Sequence, residues 1–115
     1  MIRVAAQIIY CSPQNAITNG VIEIADNGEV VNIESLAHCQ SEPESTTFHN
    51  GILLPFHPDI QALLGQNLKK GLEAQFFASK AQEIKTGTTP ALWILSGKEL
   101  FATKINAPLT VLSLT

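Results

Sequence analysis

The sequence predicts an α+β domain, a mainly antiparallel β-sandwich with one helical segment packed on it. Short apolar, β-branched runs separated by turn residues fill both ends of the chain, and one central stretch has helical spacing. Strands segregated from a single helix favour antiparallel pairing, because parallel sheets need alternating helices. The 115 residues suit one domain, with a β meander over 1–54, a helical insert over 58–85 and returning strands over 90–115.

The first third of the chain is predicted to form strands joined by tight turns. Residues Ile2 to Ile9 are apolar and often β-branched, and turn residues follow at Ser12 to Asn15. Two further apolar runs, Val21–Ala25 and Val30–Ile33, flank the segment Asp26–Glu29. Its Asn-Gly pair tolerates the positive φ angles of tight hairpins, so these residues predict a β-hairpin.

The chain becomes polar over 35–47, which predicts an exposed loop, and then resumes an apolar strand over Phe48–Leu54. The helical insert is predicted because apolar residues beyond Pro58 recur at the spacing of one helical face. These residues are Ile60, Leu63, Leu64, Leu68, Leu72, Phe76, Ala81 and Ile84. Gly65 weakens the helix and could split it into a short turn and a longer segment, and Gly87 is the predicted stop.

The last third is predicted to return to strands. Ala91 to Leu95 forms a short buried strand, Ser96 to Lys98 a turn, and Leu109 to Leu114 a final strand after Pro108. The N-terminal and C-terminal strands are expected to share one β-structure, with the helical insert as a wall of its core.

Composition excludes two classes of partner. The net charge of -3 gives no cationic surplus for phosphates, so nucleic-acid binding is not expected. No apolar run approaches the length that spans a bilayer, and we expect a cytoplasmic protein that does not bind membranes. Charged residues make up only 15% of the chain, which favours apolar surface covered in a homo-oligomer or by a protein partner. Cys11 and Cys39 have no metal-site spacing and are interpreted as free thiols.

Four stretches are similar to parts of a known family. They are the turn Ala25–Val31, the strand Gly51–Pro55, the return Ile84–Leu95 and the final strand Leu109–Leu114. Together they resemble the small β-sandwich "composite" domain of the amidohydrolase superfamily, whose members are metal-dependent hydrolases and deaminases. In that family the sandwich is built from both chain ends, and a catalytic barrel with a His-x-His metal motif follows the strand. The resemblance covers most of the chain.

The departure from the family concerns the barrel, which needs roughly 200 residues or more. Only residues 56–83 lie between the two similar regions, and His57 stands alone where the family has two histidines. The family's lysine, later histidines and aspartate have no matching positions. The resemblance therefore implies a noncatalytic domain acting in protein interaction or assembly, most simply a homodimer, with no cofactor and no catalytic, cofactor-binding or metal-ligating residue. The alternatives are a small-ligand or metal-binding module, and a hydrolase subunit or remnant for C–N bonds other than peptide bonds.

Histidines and cysteines are the candidates for metal binding. A lone histidine such as His57, placed before a helix-starting proline, more often caps the helix or lies on the surface. His38, Cys39 and His49 do not have the spacing of a zinc motif. We interpret these residues as structural or surface residues, with metal binding as the alternative.

Apolar and acidic residues of the helical insert are the remaining candidates. One aromatic and aliphatic set is interpreted as core, with an apolar ligand pocket between helix and sheet as the alternative: Leu68, Leu72, Phe76 and Phe77. Trp93 is interpreted as a packing residue. Glu73 and Glu83 are expected on a solvated helix face rather than as an acid–base pair, and Lys69 and Lys70 are expected on the same helix.

Overall fold

The computed structural model describes residues 1–38, 46–98, 100–101 and 108–114, and within them six strands form one mixed sheet. The strands are β1 (Ile2–Ser12), β2 (Asn15–Ile24), β3 (Val30–Ser35), β4 (Thr46–Leu54), β5 (Trp93–Ser96) and β6 (Thr110–Ser113). Their order is β3-β2-β1-β4-β5-β6, in which β1 and β4 are parallel and the other neighbours antiparallel. The α+β class is confirmed. Four of the five pairings are antiparallel, as predicted, but the parallel pair makes the sheet mixed. The described strands form one sheet, and the predicted sandwich is not confirmed.

Strand β4 lies in the interior of the sheet because its final residues are apolar on both faces. Its last four residues are all buried, and they alternate between two separate apolar clusters, with Ile52 and Leu54 in one and Leu53 in the other. A strand that is apolar on both faces is stable only in the interior of a covered sheet. Gly51 permits the close approach of β5, because a Cβ there would lie 2.3 Å from the carbonyl oxygen of Leu95.

The predicted hairpin is confirmed between β2 and β3. Gly28 has a φ of +89°, and the amide of Ala25 donates to the carbonyl of Glu29 at 2.8 Å. This left-handed conformation at the turn is what the Asn-Gly pair allows. The second strand begins at Asn15, earlier than predicted, directly after the turn that ends β1.

The helical insert forms two helices, α1 (Ile60–Leu63) and α2 (Leu68–Ser79), and a short 3-10 helix at Leu36–His38 precedes β4. Gly65, with a φ of +77°, lies in the break between α1 and α2, as predicted. The side chain of Asp59 accepts from the amide of Ala62, so Pro58 precedes the cap and is not the first helical residue. Asn67 caps α2 in the same way.

The helix ends earlier than predicted. Lys80 is left-handed, with φ 54° and ψ 35°, so α2 stops at Ser79 and the predicted range 58–85 is wrong from residue 80 onward. Residues 81–92, here called the strap, carry Ile84 and Leu92 to the opposite side of the sheet. The amide of Ile84 donates to the carbonyl of Cys11 at 3.0 Å. Gly87, predicted as the helix stop, instead lies in a turn of the strap with a φ of +85°.

The sheet is thus covered differently on its two sides. On the helix face the buried residues are Tyr10, Ile52, Leu54, Phe56, Leu63, Leu72, Phe76, Leu95, Leu100 and Leu109. On the strap face they are Val4, Ala6, Ile9, Cys11, Ile22, Ile24, Val30, Leu53, Ile84, Leu92 and Ile94. Both chain ends contribute strands to the one sheet, with the helices between them in sequence.

Candidate functional site

A cavity of about 300 Å³ lies between the first half of α2 and the sheet. Its lining residues are Ile8, Tyr10, Ile52, Asn67, Leu68, Lys69, Leu72 and Phe101. Strands β1 and β4 supply the floor and α2 supplies a wall. Apolar side chains with a few polar groups are the usual lining of a small-ligand pocket, and the volume is at the lower end of that class. We refer to this space as the helix–sheet cavity.

Local geometry explains why these side chains meet. Residues two apart on a strand point to the same side, which places Ile8 and Tyr10 of β1 together on the cavity floor. Residues four apart on a helix lie on one face, which places Leu68 one turn above Leu72 on the wall. Asn67 stands at the helix start because its side chain accepts from the amide of Lys70 at 3.2 Å.

Tyr10 is the buried polar residue of the cavity. It is 6% exposed, and its ring packs edge-on against Phe76 with centroids 6.1 Å apart. Phe76 in turn packs edge-on against Phe56 at 5.7 Å. The Tyr10 hydroxyl is buried and has no hydrogen-bond partner among the described residues. A buried hydroxyl without a partner costs about 1–3 kcal/mol. This oxygen is closed off from the cavity as well as from solvent, so a molecule in the cavity contacts other atoms of Tyr10.

Two residues of α2 place opposite charges at or near the cavity. Lys69 lines the cavity, and Glu73 stands one turn further along the helix with its side chain exposed. Burial raises the pKa of Tyr10, and the negative charge of Glu73 raises that pKa further. The phenol therefore keeps its proton at neutral pH and can both donate and accept a hydrogen bond.

The predicted helix residues divide among three environments. Leu68 and Leu72 line the cavity, and Phe76 is buried beside it as predicted for a core residue. Phe77 is 64% exposed, so its assignment to the core or to a pocket is wrong. Successive helix residues are turned by about 100°, and Phe76 already faces the sheet. The strand residues of the cavity were not predicted, although the polar tip of Tyr10 within an apolar strand was a signal for them.

The candidate metal ligands do not converge among the described residues. His57 is exposed, with its ring 6.0 Å from that of Trp93, and His49 is half-buried on β4 beside a separate hollow of about 130 Å³. Cys39 and the side chain of His38 lie outside the described residues. Within the described ranges, no three His, Cys, Asp or Glu side chains are grouped as a metal site would require.

The two acidic candidates lie on different elements. Glu73 is exposed on α2, as predicted, whereas Glu83 belongs to the strap and pairs with Lys85 at 3.2 Å rather than lying on a helix. Cys11 is 2% exposed on the strap face. Burial, with a contribution from Glu83, raises the pKa of its thiol to about 11. The thiol is therefore protonated and a weak nucleophile at neutral pH.

Comparison with known proteins does not assign this chain to a family. No family model matches the chain, and no curated protein matches it in sequence. Each helix in the described ranges is too short or too polar to cross a bilayer. The cytoplasmic location stays a prediction from the sequence.

Proposed function

We propose that this chain is a noncatalytic binding domain whose helix–sheet cavity takes a small, largely apolar ligand. The observation that carries the proposal is the helix–sheet cavity itself, which has a volume of about 300 Å³ and whose walls include Ile8, Ile52 and Leu72. Concave apolar sites with one or two polar groups bind by burying the ligand's apolar surface, at about 25 cal/mol per Å². The polar groups then fix its orientation.

The noncatalytic part of the proposal comes from the resemblance to the amidohydrolase composite domain. Two arrangements support that relationship: both chain ends enter one sheet, and the strand Gly51–Leu54 lies at its centre. Between β4 and β5 the chain has only residues 55–92, which form two short helices and the strap. A barrel of eight βα units needs roughly 200 residues or more, so the proposed relative retains the small domain and replaces the barrel with helical cover.

Ligand binding is tested with ethylbenzene as an apolar probe, followed by NMR chemical shifts and by thermal unfolding. We expect a dissociation constant of about 1 mM or tighter, which corresponds to about 4 kcal/mol of binding free energy. Bound probe raises the melting temperature because it binds only the folded chain. The variant Leu68→Trp fills the cavity and is expected to abolish binding.

The matched control is Phe77→Trp, which adds the same side chain at an exposed position of the same helix. This variant is expected to bind ethylbenzene like the natural chain. The proposal is wrong if the natural chain shows no shift with probe, or if both tryptophan variants bind equally well.

A second proposal is self-association through β6, the outermost of the described strands on its side of the sheet, in keeping with the homodimer expected from the sequence. The two sheet edges differ. The β3 edge carries Glu34, and at Val30 it already bonds to Gly87 and Thr88 of the strap. Residues 108–114 contain no charge, and Leu112 of β6 is 54% exposed. An uncharged edge strand is a template for pairing, and antiparallel β6 strands of two copies would extend the sheet.

Light scattering after size-exclusion chromatography tests this second proposal. We expect a dimer at tens of micromolar that Leu112→Lys converts to monomer, because a charge on an edge strand opposes pairing. Val31→Lys, on the opposite edge and 39% exposed, is the matched control and should stay dimeric. A natural chain that is monomeric under these conditions contradicts the proposal.

A further inference from the structure

We infer that Asn27 is a site of spontaneous deamidation, and that the fold protects the two other Asn-Gly pairs of the chain from the same reaction. The three pairs are Asn19-Gly20, Asn27-Gly28 and Asn50-Gly51. The residue after the asparagine supplies the attacking backbone nitrogen, and glycine hinders that attack least because it has no side chain. The three pairs therefore share the same local chemistry, and their surroundings decide which of them reacts.

The reaction at Asn27 has two steps and needs only water. The nitrogen of Gly28 forms a bond to Cγ of Asn27, the bond from Cγ to Nδ2 breaks, and Nδ2 leaves as ammonia with the amide proton of Gly28. Water then opens the resulting succinimide ring at Cγ, which gives aspartate, or at the backbone carbonyl carbon, which gives isoaspartate. Either product adds one negative charge between Asp26 and Glu29.

The glycines, and not the asparagines, distinguish the three pairs. All three asparagine side chains are exposed, so access of water does not separate them. Gly20 and Gly51 are buried within strands, whereas Gly28 is half-buried in the turn between β2 and β3. A Cβ added at Gly28 would have no heavy atom within 4 Å, so the space beside this backbone is open.

Neighbouring strands hold the two buried glycines in place. Gly20 pairs with Ala6 of β1 and with Ser35 of β3, and Gly51 pairs with Ser96 of β5. Ring formation requires the backbone to rotate between the asparagine and the glycine, and in a strand that rotation breaks the pairing. Core strands open only at a free energy close to that of global unfolding, whereas a hairpin tip opens locally at much lower cost.

The hydrogen bonds of the turn also bear on the reaction. The amide of Glu29 donates to Oδ1 of Asn27 at 2.9 Å. A donor on this oxygen stabilises the negative charge that develops there when the nitrogen attacks Cγ. The amide of Gly28 donates to the carbonyl of Ala25 at 2.9 Å, and this bond must open to free the nitrogen. Because the bond lies at the tip of the hairpin, local opening is sufficient.

Peptide mapping of the natural chain tests the inference. The folded protein is incubated at mildly alkaline pH, and samples are compared with one digested at the start. Cleavage after glutamate separates the three pairs, because Glu23 and Glu29 lie between them in sequence. A deamidated peptide gains about 1 Da, and chromatography separates isoaspartate from aspartate. We expect Asn27 to react at least about 10-fold faster than Asn19 or Asn50.

Two controls accompany this measurement. In urea that unfolds the chain, we expect the three rates to agree within about 3-fold, because the protection by the strands is lost. Asn27→Gln keeps a carboxamide at an exposed position but would have to form a six-membered ring, which closes much more slowly. This variant is expected to lose the reaction at residue 27 and to leave the other two pairs unchanged.

Three results would overturn the inference. If Asn19 or Asn50 reacts as fast as Asn27 in the folded chain, the strands give no protection. If Asn27 stays intact in the folded chain while all three pairs react in urea, the turn protects it as the strands protect the others. If Asn27 is also at least about 10-fold the fastest in urea, the selectivity comes from its neighbours in sequence and not from the fold.

Discussion

The two faces of the sheet bury similar numbers of apolar side chains but are covered in different ways. The strap face is covered by a segment without helix, which is held to β1 and β3 by backbone hydrogen bonds at Cys11 and Val30. Its core is almost wholly aliphatic. The helix face is covered by α1 and α2, contains the aromatic residues Tyr10, Phe56 and Phe76, and keeps the helix–sheet cavity.

Two neighbouring residues of β1 show this difference between the faces most directly. Tyr10 points to the helix face and Cys11 to the strap face, and both are buried. The thiol sits in a closed aliphatic core, whereas the phenol borders a cavity and keeps an unpartnered oxygen. We therefore expect the side chains packed around Cys11 to tolerate truncation less well than those that line the helix–sheet cavity.

The largest expected effect compares a leucine on each face. Leu92→Ala, in the strap, is expected to lower the free energy of unfolding by about 4 kcal/mol, because a closed core leaves a new void. Leu72→Ala is expected to cost about 2–3 kcal/mol, since it enlarges space that already exists. Both leucines are at most 2% exposed in the natural chain, which makes them a matched pair. Urea unfolding measures both values, and equal losses would refute the difference between the faces.

The second comparison uses two glycines that are tightly packed. A Cβ at Gly20 would lie 2.6 Å from Ile9 Cδ1 on the strap face, and one at Gly71 would lie 2.7 Å from Leu63 Cδ2 on the helix face. We expect Gly20→Ala to cost about 2 kcal/mol by overpacking. Gly71→Ala should change stability by less than about 1 kcal/mol, because alanine gains about 1 kcal/mol of helix propensity that offsets the clash.

Thermal or urea unfolding of these two variants checks the comparison. The contradictory result is a larger loss for Gly71→Ala than for Gly20→Ala, which would mean that the helix face is the less adaptable side. Retention of the natural circular-dichroism spectrum by both variants is the control that the fold is unchanged.

Local signals and long-range packing explain which features the sequence could predict. The β2–β3 hairpin and the break at Gly65 depend on a few adjacent residues, and both were predicted from glycine chemistry. The parallel partner of β4 and the end of α2 at Lys80 depend on which face each distant segment covers. The secondary-structure propensity of a segment carries no information about which face of the sheet that segment will cover. The mixed sheet and the strap were therefore not predicted.

The same distinction applies to the candidate site. Helical spacing placed Leu68 and Leu72 on one face and offered a pocket as an alternative to core. The floor of the cavity comes from β1 and β4, which are remote in sequence from α2, and so Tyr10 did not enter the prediction. A site made by pairing three segments is visible only when their register and packing are known.

The third prediction concerns alkaline pH and Cys11. The thiol titrates near its ordinary pKa of 9.0 in the unfolded chain and near about 11 in the folded one. Above pH 9 the unfolded state therefore holds fewer protons, so the free energy of unfolding falls as pH rises, by about 1 kcal/mol between pH 8 and pH 10. Cys11→Ala should remove most of this loss between pH 8 and pH 10, measured by urea unfolding under reducing conditions. The raised pKa of Tyr10 leaves a smaller fall in stability, which grows at higher pH. An unchanged slope would show that the thiol ionises equally in both states.

The smallest expected effect is that of Tyr10→Phe on stability. Removal of a hydroxyl that has a hydrogen-bond partner destabilises a protein, whereas removal of a buried hydroxyl without one is neutral or stabilising. Because the described surroundings of the Tyr10 oxygen supply no partner, we expect a change between zero and about 1 kcal/mol of added stability by urea unfolding. A loss above about 1 kcal/mol would mean that the protein itself satisfies this hydroxyl. In that case the helix face would carry no unsatisfied polar group at Tyr10, and its packing there would be as favourable as that of the strap face.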